Sequence, residues 1–230
     1  MQLTQKGKTY VIPLILTVLS GVVSVAVLGV LLFGLIQPRL YFLLFLLPVL
    51  LIGLITFFSK RGKLNDVACI VLSVLFLFAS LFAYPYGFLF TLIIEAATPV
   101  THPMFYERTL RLLNYEKNET ISFFPPSIPE DATSVSFFYM AGIAMAGPTL
   151  ELSFTDEDTV NEYLSYAKAK GISPLPVSKE STTYTQKYKY ALPETFAFYI
   201  LFSDNSNHGE REFFAVDKAN NEILFCYENW

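Results

Sequence analysis

Apolar positions dominate the first 94 residues, and three long stretches there contain no charged residue. The stretches lie between Lys8 and Arg39, between Arg39 and Lys60, and between Asp66 and Glu95, and they are 30, 20 and 28 residues long. A helix needs about 20 apolar residues to cross the hydrocarbon core of a bilayer. The pattern therefore predicts three membrane-spanning helices, at about residues 10–36, 40–58 and 67–94.

Beyond Glu95 the continuous apolar runs give way to alternating and helical patterns, which are typical of a folded water-soluble domain. Alternation of apolar and polar residues predicts strands over Ser134–Met140, Thr149–Phe154 and Tyr184–Tyr190. A continuous apolar run predicts a strand over Phe196–Phe202, and a turn-like loop at residues 218–221 predicts a hairpin of two more strands, Glu212–Asp217 and Glu222–Tyr227. Their short connections favour an antiparallel sheet with a helix on one face. The predicted fold is a three-helix transmembrane module over residues 1–98, followed by an extracytoplasmic α+β domain over residues 99–230.

Several local features of the predicted domain are specific enough to test. Its one main helix runs from Asp156 to Lys170, with Thr155-x-x-Asp158 as a capping box and Gly171 as the stop signal. Phe196–Phe202 is apolar on both faces and is therefore predicted to be a central strand. A shorter helix is predicted over 104–115. The proline-rich stretch 122–129 is predicted to pack on the domain in extended form, with a proline-rich docking motif as the alternative.

Basic residues in the loops predict the orientation, because Lys and Arg stay on the cytoplasmic side. Five of the six basic residues of the membrane module fall on one predicted side: Lys6, Lys8, Lys60, Arg61 and Lys63. Arg39 alone falls on the other side. The pattern predicts a multi-pass protein of the plasma membrane, with a cytoplasmic N-terminus and the C-terminal domain outside.

Small residues recur every four positions on the third predicted helix, at Ala79, Ala83 and Gly87. Such spacing lets helices approach closely in lipid, so these residues are a predicted helix-packing face. Packing within the three-helix module is one interpretation, and an oligomer formed through the transmembrane helices is the other. The spans contain no ionisable Asp, Glu, Lys, Arg or His, which disfavours a transporter or channel.

Charge and reactive residues narrow the function classes further. Residues 95–230 hold 19 acidic and 10 basic residues, and this excess of acids disfavours nucleic-acid binding. Cys69 and Cys226 are predicted in separate environments, without a disulfide. His102 and His208 share no metal-ligand spacing. The loop 204–209 lacks the Glu that closes a calcium loop and is predicted to be a hairpin loop. No catalytic, cofactor-binding or metal-binding residue is assigned, and no cofactor is expected.

Three short motifs mark the C-terminal domain: Phe124-Pro125-x-x-Ile128-Pro129-x-x-Ala132, then Val135-x-Phe137-x-Tyr139, and the ending Val216-Asp217-x-x-x-x-Glu222-Ile223 before Tyr227-Glu228-x-Trp230. Over roughly residues 105–230 the chain resembles uncharacterised membrane-anchored proteins of Gram-positive bacteria, which carry a domain of unknown function. The resemblance implies a bacterial plasma-membrane setting. It transfers no activity and no functional residue.

These patterns favour a non-catalytic, membrane-anchored extracytoplasmic domain that binds a protein partner, as a sensor accessory, an immunity-type protein or a subunit of an envelope complex. Two alternatives remain open. One is an envelope enzyme that uses carboxylates in a cleft of the C-terminal domain, which two carboxyls with strongly shifted pKa values would support. The other is a structural subunit of a larger membrane complex.

Overall fold

The fold class predicted from the sequence is confirmed. A computed structural model describes residues 11–142, 147–177, 192–204, 206 and 209–229. It contains three long apolar helices near the N-terminus, followed by an antiparallel sheet domain with one main helix. The chain divides into two compact units, Met1–Ile93 and Ile94–Trp230.

The first unit contains three segments that are long and apolar enough to cross a membrane. They are helix α1 (Val11–Gly34), a second segment (Leu40–Lys60) and helix α3, which runs over Asp66–Ala97. In the most apolar windows of the three segments only 17, 22 and 17% of positions are buried. Most of the apolar side chains therefore point outward, as they must where lipid surrounds a helix.

The second segment differs from the single helix predicted there. It begins as a 3-10 helix over Leu40–Leu46 and continues as helix α2 over Leu47–Lys60. Pro48 lies in the first turn of α2. Proline has no N–H to donate and is tolerated in the first turn of a helix, so the change of helix type falls where the sequence removes a donor.

Helix α3 begins one residue before and ends three residues after the span predicted over 67–94, and it contains Pro85 in its interior. A helix of 32 residues is about 48 Å long, whereas the hydrocarbon core is about 30 Å thick. The continuing apolar run after Gly87 keeps the helix intact to Ala97, since one proline removes only one backbone hydrogen bond.

In the part of the chain that the structure describes, the second unit is built on a six-stranded sheet in the order β1-β2-β6-β5-β4-β3. All neighbouring strands pair antiparallel. The strands are β1 (Thr133–Met140), β2 (Thr149–Thr155), β3 (Leu175–Pro176), β4 (Ala197–Asp204), β5 (Glu210–Asp217) and β6 (Glu222–Asn229). The predicted turn between β5 and β6 is present, and Asn221 adopts a left-handed conformation there, with φ of 50°.

Five of the six predicted strands are present, each within two residues of its predicted bounds. The strand predicted over Phe196–Phe202 corresponds to β4, which lies beside the two-residue strand β3 and not at the centre. Its apolar character misled the prediction, because Phe202 is 48% exposed. Strand β3 was not predicted, and the strand predicted over 184–190 lies outside the described residues.

Two helices support one side of the domain. Helix α4 covers Tyr106–Leu112, between short 3-10 turns at Pro103–Phe105 and Tyr115–Lys117, so the single helix predicted over 104–115 is broken into three pieces. Helix α5 covers Glu157–Lys170 and ends at Gly171, as predicted, with φ of 69°.

The N-terminal cap of α5 corrects the prediction by one residue. Asp156, and not Thr155, caps the helix: its Oδ2 accepts hydrogen bonds from the Thr159 backbone N–H at 2.8 Å and from the Thr159 hydroxyl at 2.6 Å. Thr155 instead completes strand β2. A carboxylate at this position is also stabilised by the positive end of the helix dipole.

The sheet is buried on both faces. On the side of α5, Tyr163 packs edge-on against Phe214 and Phe225, with ring centroids 5.5 and 4.7 Å away. On the opposite side a second apolar cluster consists of Val177, Leu192, Phe196, Phe198, Phe213, Ala215, Leu224 and Cys226. Burial of both faces makes the centre of the sheet a rigid base for the surface of α4 and α5.

Candidate functional site

Three tyrosine hydroxyls hold one proline-rich segment on the surface of the second unit. Tyr163 donates to the Phe123 carbonyl oxygen at 2.7 Å, Tyr115 donates to the Phe124 carbonyl oxygen at 2.6 Å, and Tyr106 donates to the Pro125 carbonyl oxygen. Three consecutive carbonyl oxygens thus accept from three side chains. We call residues 123–125 the fastened segment.

The sequence explains why the fastened segment needs these donors. Pro125 and Pro126 have no backbone N–H, so the local chain cannot close a regular ladder of backbone hydrogen bonds. Phe123, Phe124 and Pro125 are nevertheless buried. Buried carbonyls left without a donor cost free energy, and the tyrosine hydroxyls remove that cost. The segment packs on the domain, as predicted, but a turn and a bend over residues 122–124 replace the predicted extended form there. Its buried part does not present a proline-rich docking surface.

The three tyrosines remain donors at any physiological pH. Burial raises the pKa of Tyr106 well above its ordinary value, and the nearby Tyr115, Tyr163 and Glu107 raise it further. Burial also raises the pKa of Tyr163 and of Tyr115. Each hydroxyl therefore keeps its proton and continues to donate it to the carbonyl that it contacts.

Two grooves border the fastened segment. The Arg111 groove has a volume of about 400 Å³ and is lined by Glu107, Leu110, Arg111, Asn114, Tyr115, Glu116 and Pro126. The Tyr166 groove has a volume of about 290 Å³ and is lined by Ser122, Phe123, Glu162, Tyr163 and Tyr166. Each groove combines aromatic and carboxylate side chains, a lining that suits recognition of a polar or cationic group.

A separate polar cluster lies where β5 and β6 pair. Glu212 is opposite Tyr227, and Glu210 is opposite Asn229. Burial, with the neighbouring Glu210, raises the pKa of Glu212 to about 7. Burial and the hydrogen bond with Glu210 raise the pKa of Tyr227 to about 12. Glu212 can therefore exchange a proton near neutral pH, but neither groove described above includes it.

Cys226 lies on the face of the sheet opposite α5, and its environment is not that of a nucleophilic thiol. The thiol is buried within the apolar cluster. Burial raises its pKa well above the ordinary value, the carboxylates of Glu151 and Glu228 raise it further, and Arg211 opposes them. A thiol with a raised pKa holds its proton and reacts poorly. Cys69 and Cys226 are both free, as predicted.

The polar residues singled out in the sequence have structural roles where the structure describes them. His102 accepts a hydrogen bond from the Met104 backbone N–H at 3.2 Å and begins a 3-10 turn. Asp204 accepts from the backbone N–H and from the hydroxyl of Ser206, both at 3.0 Å. His208 lies outside the described residues. Among the residues that are described, no group of three or more His, Cys, Asp or Glu is arranged to hold a metal ion.

Hydrogen bonds to the Asp217 carboxylate connect the β5–β6 turn to the chain before β4. This carboxylate accepts from the Thr195 hydroxyl at 2.7 Å, the Asn220 side-chain amide at 2.8 Å and the Ala219 backbone N–H at 3.0 Å. Burial acts to raise the pKa of this carboxyl, but the hydrogen bonds outweigh burial and hold the pKa below its ordinary value. This buried acid therefore stabilises a turn in its ionised form.

The predicted helix-packing face of α3 is split between two environments. Ala79 and Ala83 are exposed on the helix surface. Gly87 is half-buried, and a Cβ atom added there would lie 3.3 Å from the Phe45 ring. Gly87 thus allows a close approach within the first unit, whereas packing at Ala79 and Ala83 stays a prediction.

A hydroxyl network joins the three segments of the first unit. The Ser24 hydroxyl donates to the Phe45 carbonyl oxygen at 2.8 Å, and the Tyr84 hydroxyl lies 2.6 Å from the Ser24 hydroxyl oxygen. Since Ser24 gives its one proton to Phe45, Tyr84 is the donor in the second bond. The Tyr84 ring also stacks on Phe45, with centroids 6.3 Å apart.

Comparisons of the chain with protein-family models, with curated proteins and with solved structures give no match. The candidate site therefore depends on the geometry of this chain alone. Sequence patterns missed the fastened segment and both grooves, because the tyrosines that form them are up to 40 positions from the carbonyls that they contact. The one available signal was an apolar, proline-rich stretch in an otherwise polar region.

Proposed function

We propose that this chain is a membrane-anchored accessory protein whose C-terminal unit stands outside the plasma membrane and binds a protein partner without catalysing a reaction. The observation that carries the proposal is the pair of grooves beside the fastened segment, in an acidic unit that follows three apolar helices. Holding an irregular segment rigidly fixes the shape of both grooves before a partner arrives, which lowers the cost of binding.

The position of the rigid surface also supports binding. The centre of the sheet is buried on both faces, so α4, α5 and the fastened segment rest on a well-packed core. Three helices with few buried positions provide an anchor in the bilayer. The excess of acidic residues in the C-terminal unit would keep it clear of anionic lipid headgroups and leave its surface open to a protein.

The enzyme alternative has one specific observation in its favour, the raised pKa of Glu212 beside Glu210. A carboxylate-based enzyme needs two carboxyls in one cleft, with different protonation states. Glu212 and Glu210 lie on the same face of β5, but neither of them lines the Arg111 groove or the Tyr166 groove. Binding is therefore the better-supported function.

Photo-crosslinking in intact cells tests the binding function. A photoreactive amino acid is introduced at one position at a time, at Tyr166 and Glu116 in the grooves and at Lys218 in the β5–β6 turn. Crosslinks from the groove positions to one and the same protein, with little from position 218, are expected. If every position yields only the uncrosslinked chain, the binding function is wrong.

Orientation requires its own experiment, since every candidate partner depends on the side of the membrane. Protease added to intact cells should remove the C-terminal unit and leave a protected fragment that contains the three helices. The same protease added after lysis is the control. Survival of the C-terminal unit until lysis would place it in the cytoplasm and would exclude an extracytoplasmic partner.

A further inference from the structure

We propose that the Tyr166 groove receives the side-chain cation of a lysine or arginine on the partner protein. The proposal rests on the partner-binding function and adds the chemistry of the contact. It follows from the aromatic faces that line the groove, from the carboxylate at its side, and from the position of one lysine of the chain itself.

The lining of the groove suits a cation in two ways. Tyr163 and Tyr166 present two rings with centroids 6.2 Å apart and planes inclined by 54°, and Phe123 adds a third ring. The face of an aromatic ring carries partial negative charge and attracts an ammonium or guanidinium group. Glu162 adds a full negative charge at the same groove.

The Lys170 ammonium lies over the face of the Tyr166 ring. Its Nζ atom lies 5.9 Å from the centroid of the Tyr166 ring. Lys170 is exposed and is not part of the lining of the groove. A cation from the partner would therefore find a ring already placed for this contact, and it would compete with Lys170 for that ring.

Charge complementarity selects the occupant. The residues that line the groove include one carboxylate and no basic side chain, and the chain from residue 95 onward has an excess of acids. Acidic or phosphorylated segments would be repelled, and an apolar segment would leave the Glu162 carboxylate without a partner. A basic segment of a protein satisfies both the rings and the carboxylate.

Binding of a defined probe tests the proposal directly. The full chain in a maltoside detergent, which has no charged headgroup, is titrated with a fluorescent peptide of alternating lysine and glycine. The same peptide with every lysine acetylated is the matched probe. The lysine peptide should bind and the acetylated peptide should not. Equal binding of the two peptides, or no binding of the lysine peptide, would overturn the proposal.

Variants of the groove separate the contributions of ring and charge. Tyr166→Leu removes the ring and should weaken binding roughly 2- to 5-fold, whereas Tyr166→Phe keeps the ring and should bind like the original chain. Glu162→Gln should weaken binding by a similar factor at low salt and less at high salt. Unchanged affinity in both Tyr166→Leu and Glu162→Gln would mean that the peptide binds elsewhere.

Lys170→Gln is the most discriminating variant. It removes a basic side chain that lies outside the groove and competes with the peptide for the Tyr166 ring. Freeing the Tyr166 ring should tighten peptide binding, by about 2-fold. Lys168→Gln removes the same charge from an exposed position two residues earlier on α5, which points in a different direction, and is the control. Equal tightening in both variants would assign the effect to net charge and would remove Lys170 from the argument for the groove.

The crosslinking result in cells keeps this proposal distinct from the function on which it rests. If the partner is captured equally from the original chain and from a chain with both Glu162→Gln and Tyr166→Leu, the chain binds a partner and the cation contact is wrong. If the lysine peptide binds as expected and no partner is captured in cells, the groove binds cations and the partner function is wrong.

Discussion

In both units of this chain, side-chain hydroxyls donate hydrogen bonds to backbone carbonyls near prolines, although the surroundings of the two units differ. In the first unit Ser24 donates to the Phe45 carbonyl oxygen, three residues before Pro48. In the second unit tyrosines donate to the carbonyls of the fastened segment, next to Pro125 and Pro126. Proline removes a backbone donor in both places, and a side-chain hydroxyl supplies one.

The difference lies in what surrounds each hydroxyl. The helices of the first unit turn most of their apolar side chains outward, so apolar burial between them contributes little and each polar bond matters for orientation. The second unit buries phenylalanine rings on both faces of its sheet, and its hydroxyls only fix an irregular segment onto that core. Its stability should therefore depend first on the rings and second on the hydroxyls.

Phe225→Ala is the largest expected loss. The ring is fully buried, and its centroid lies 4.7 Å from that of Tyr163, 5.7 Å from Phe124 and 6.0 Å from Phe154. Deleting it should lower the free energy of unfolding by about 3–5 kcal/mol, through lost burial and a remaining cavity. Urea unfolding of the detergent-solubilised chain measures the loss.

The matched control for this variant is Phe202→Ala. Phe202 is 48% exposed near the end of β4, so its truncation should cost less than about 1 kcal/mol. Similar losses in the two variants would contradict the claim that the rings between α5 and the sheet stabilise this unit.

These rings also show what a sequence can and cannot predict here. Phe154 was placed on a strand by the alternation of apolar and polar residues, because a sheet has a period of two, and Phe225 was placed on a strand because a turn-like loop precedes it. The three membrane segments followed from their lack of charge. The position of β4 beside a two-residue strand did not follow, since apolar composition measures burial and not strand order.

The candidate site was beyond prediction for a related reason. Local patterns describe neighbours along the chain, whereas Tyr163 contacts a carbonyl 40 positions away. The 3-10 helix at Leu40–Leu46 was missed because an uninterrupted apolar run predicts a membrane-spanning helix but does not reveal a change of helix type within it. The cap of α5 was missed by one residue, because Thr155 and Asp156 both suit that role and only the end of β2 decides between them.

Tyr106→Phe tests the second part of the comparison, the hydroxyls of the second unit. The change keeps the buried ring and removes the donor to the Pro125 carbonyl oxygen. A buried carbonyl left without a donor should lower the free energy of unfolding by about 1–3 kcal/mol. The same urea titration measures it. In Tyr166→Phe the lost hydroxyl is on an exposed residue, and a change within about 0.5 kcal/mol is expected.

Glu212→Gln should alter how the stability of the second unit depends on pH. The pKa of Glu212 is raised from 4.5 to about 7 in the folded unit. The folded state therefore binds more protons than the unfolded state between these values, and stability falls as pH rises through that window. The variant should lose this fall and be more stable above pH 7, by on the order of 1 kcal/mol after allowing for solvent screening.

Unfolding of both proteins at several pH values between about 4 and 8 gives the measurement, and the difference between the two curves isolates Glu212 from other titrating groups. Glu194→Gln, at an exposed position before β4, is the control and should follow the original curve. Parallel curves for Glu212→Gln and the original chain would mean that the pKa of Glu212 is the same in the folded and unfolded states, and that burial does not raise it.

Ser24→Ala should have the smallest effect, and it tests the hydroxyl network of the first unit. Hydrogen bonds between membrane helices average about 0.6 kcal/mol, because unpaired groups find other partners in the membrane. Ser24 is fully buried and joins Phe45 to Tyr84, so its loss should loosen the packing of α3 with little loss of helix content.

Cys69 is fully buried on α3, and its rate of thiol labelling reports that loosening. Gly21→Ala on the same helix adds a methyl group into open space and should leave the labelling rate unchanged. If Cys69 is labelled no faster in Ser24→Ala than in Gly21→Ala, apolar contacts alone hold the three segments together. Stabilisation of carbonyls by side-chain hydroxyls would then be confined to the second unit.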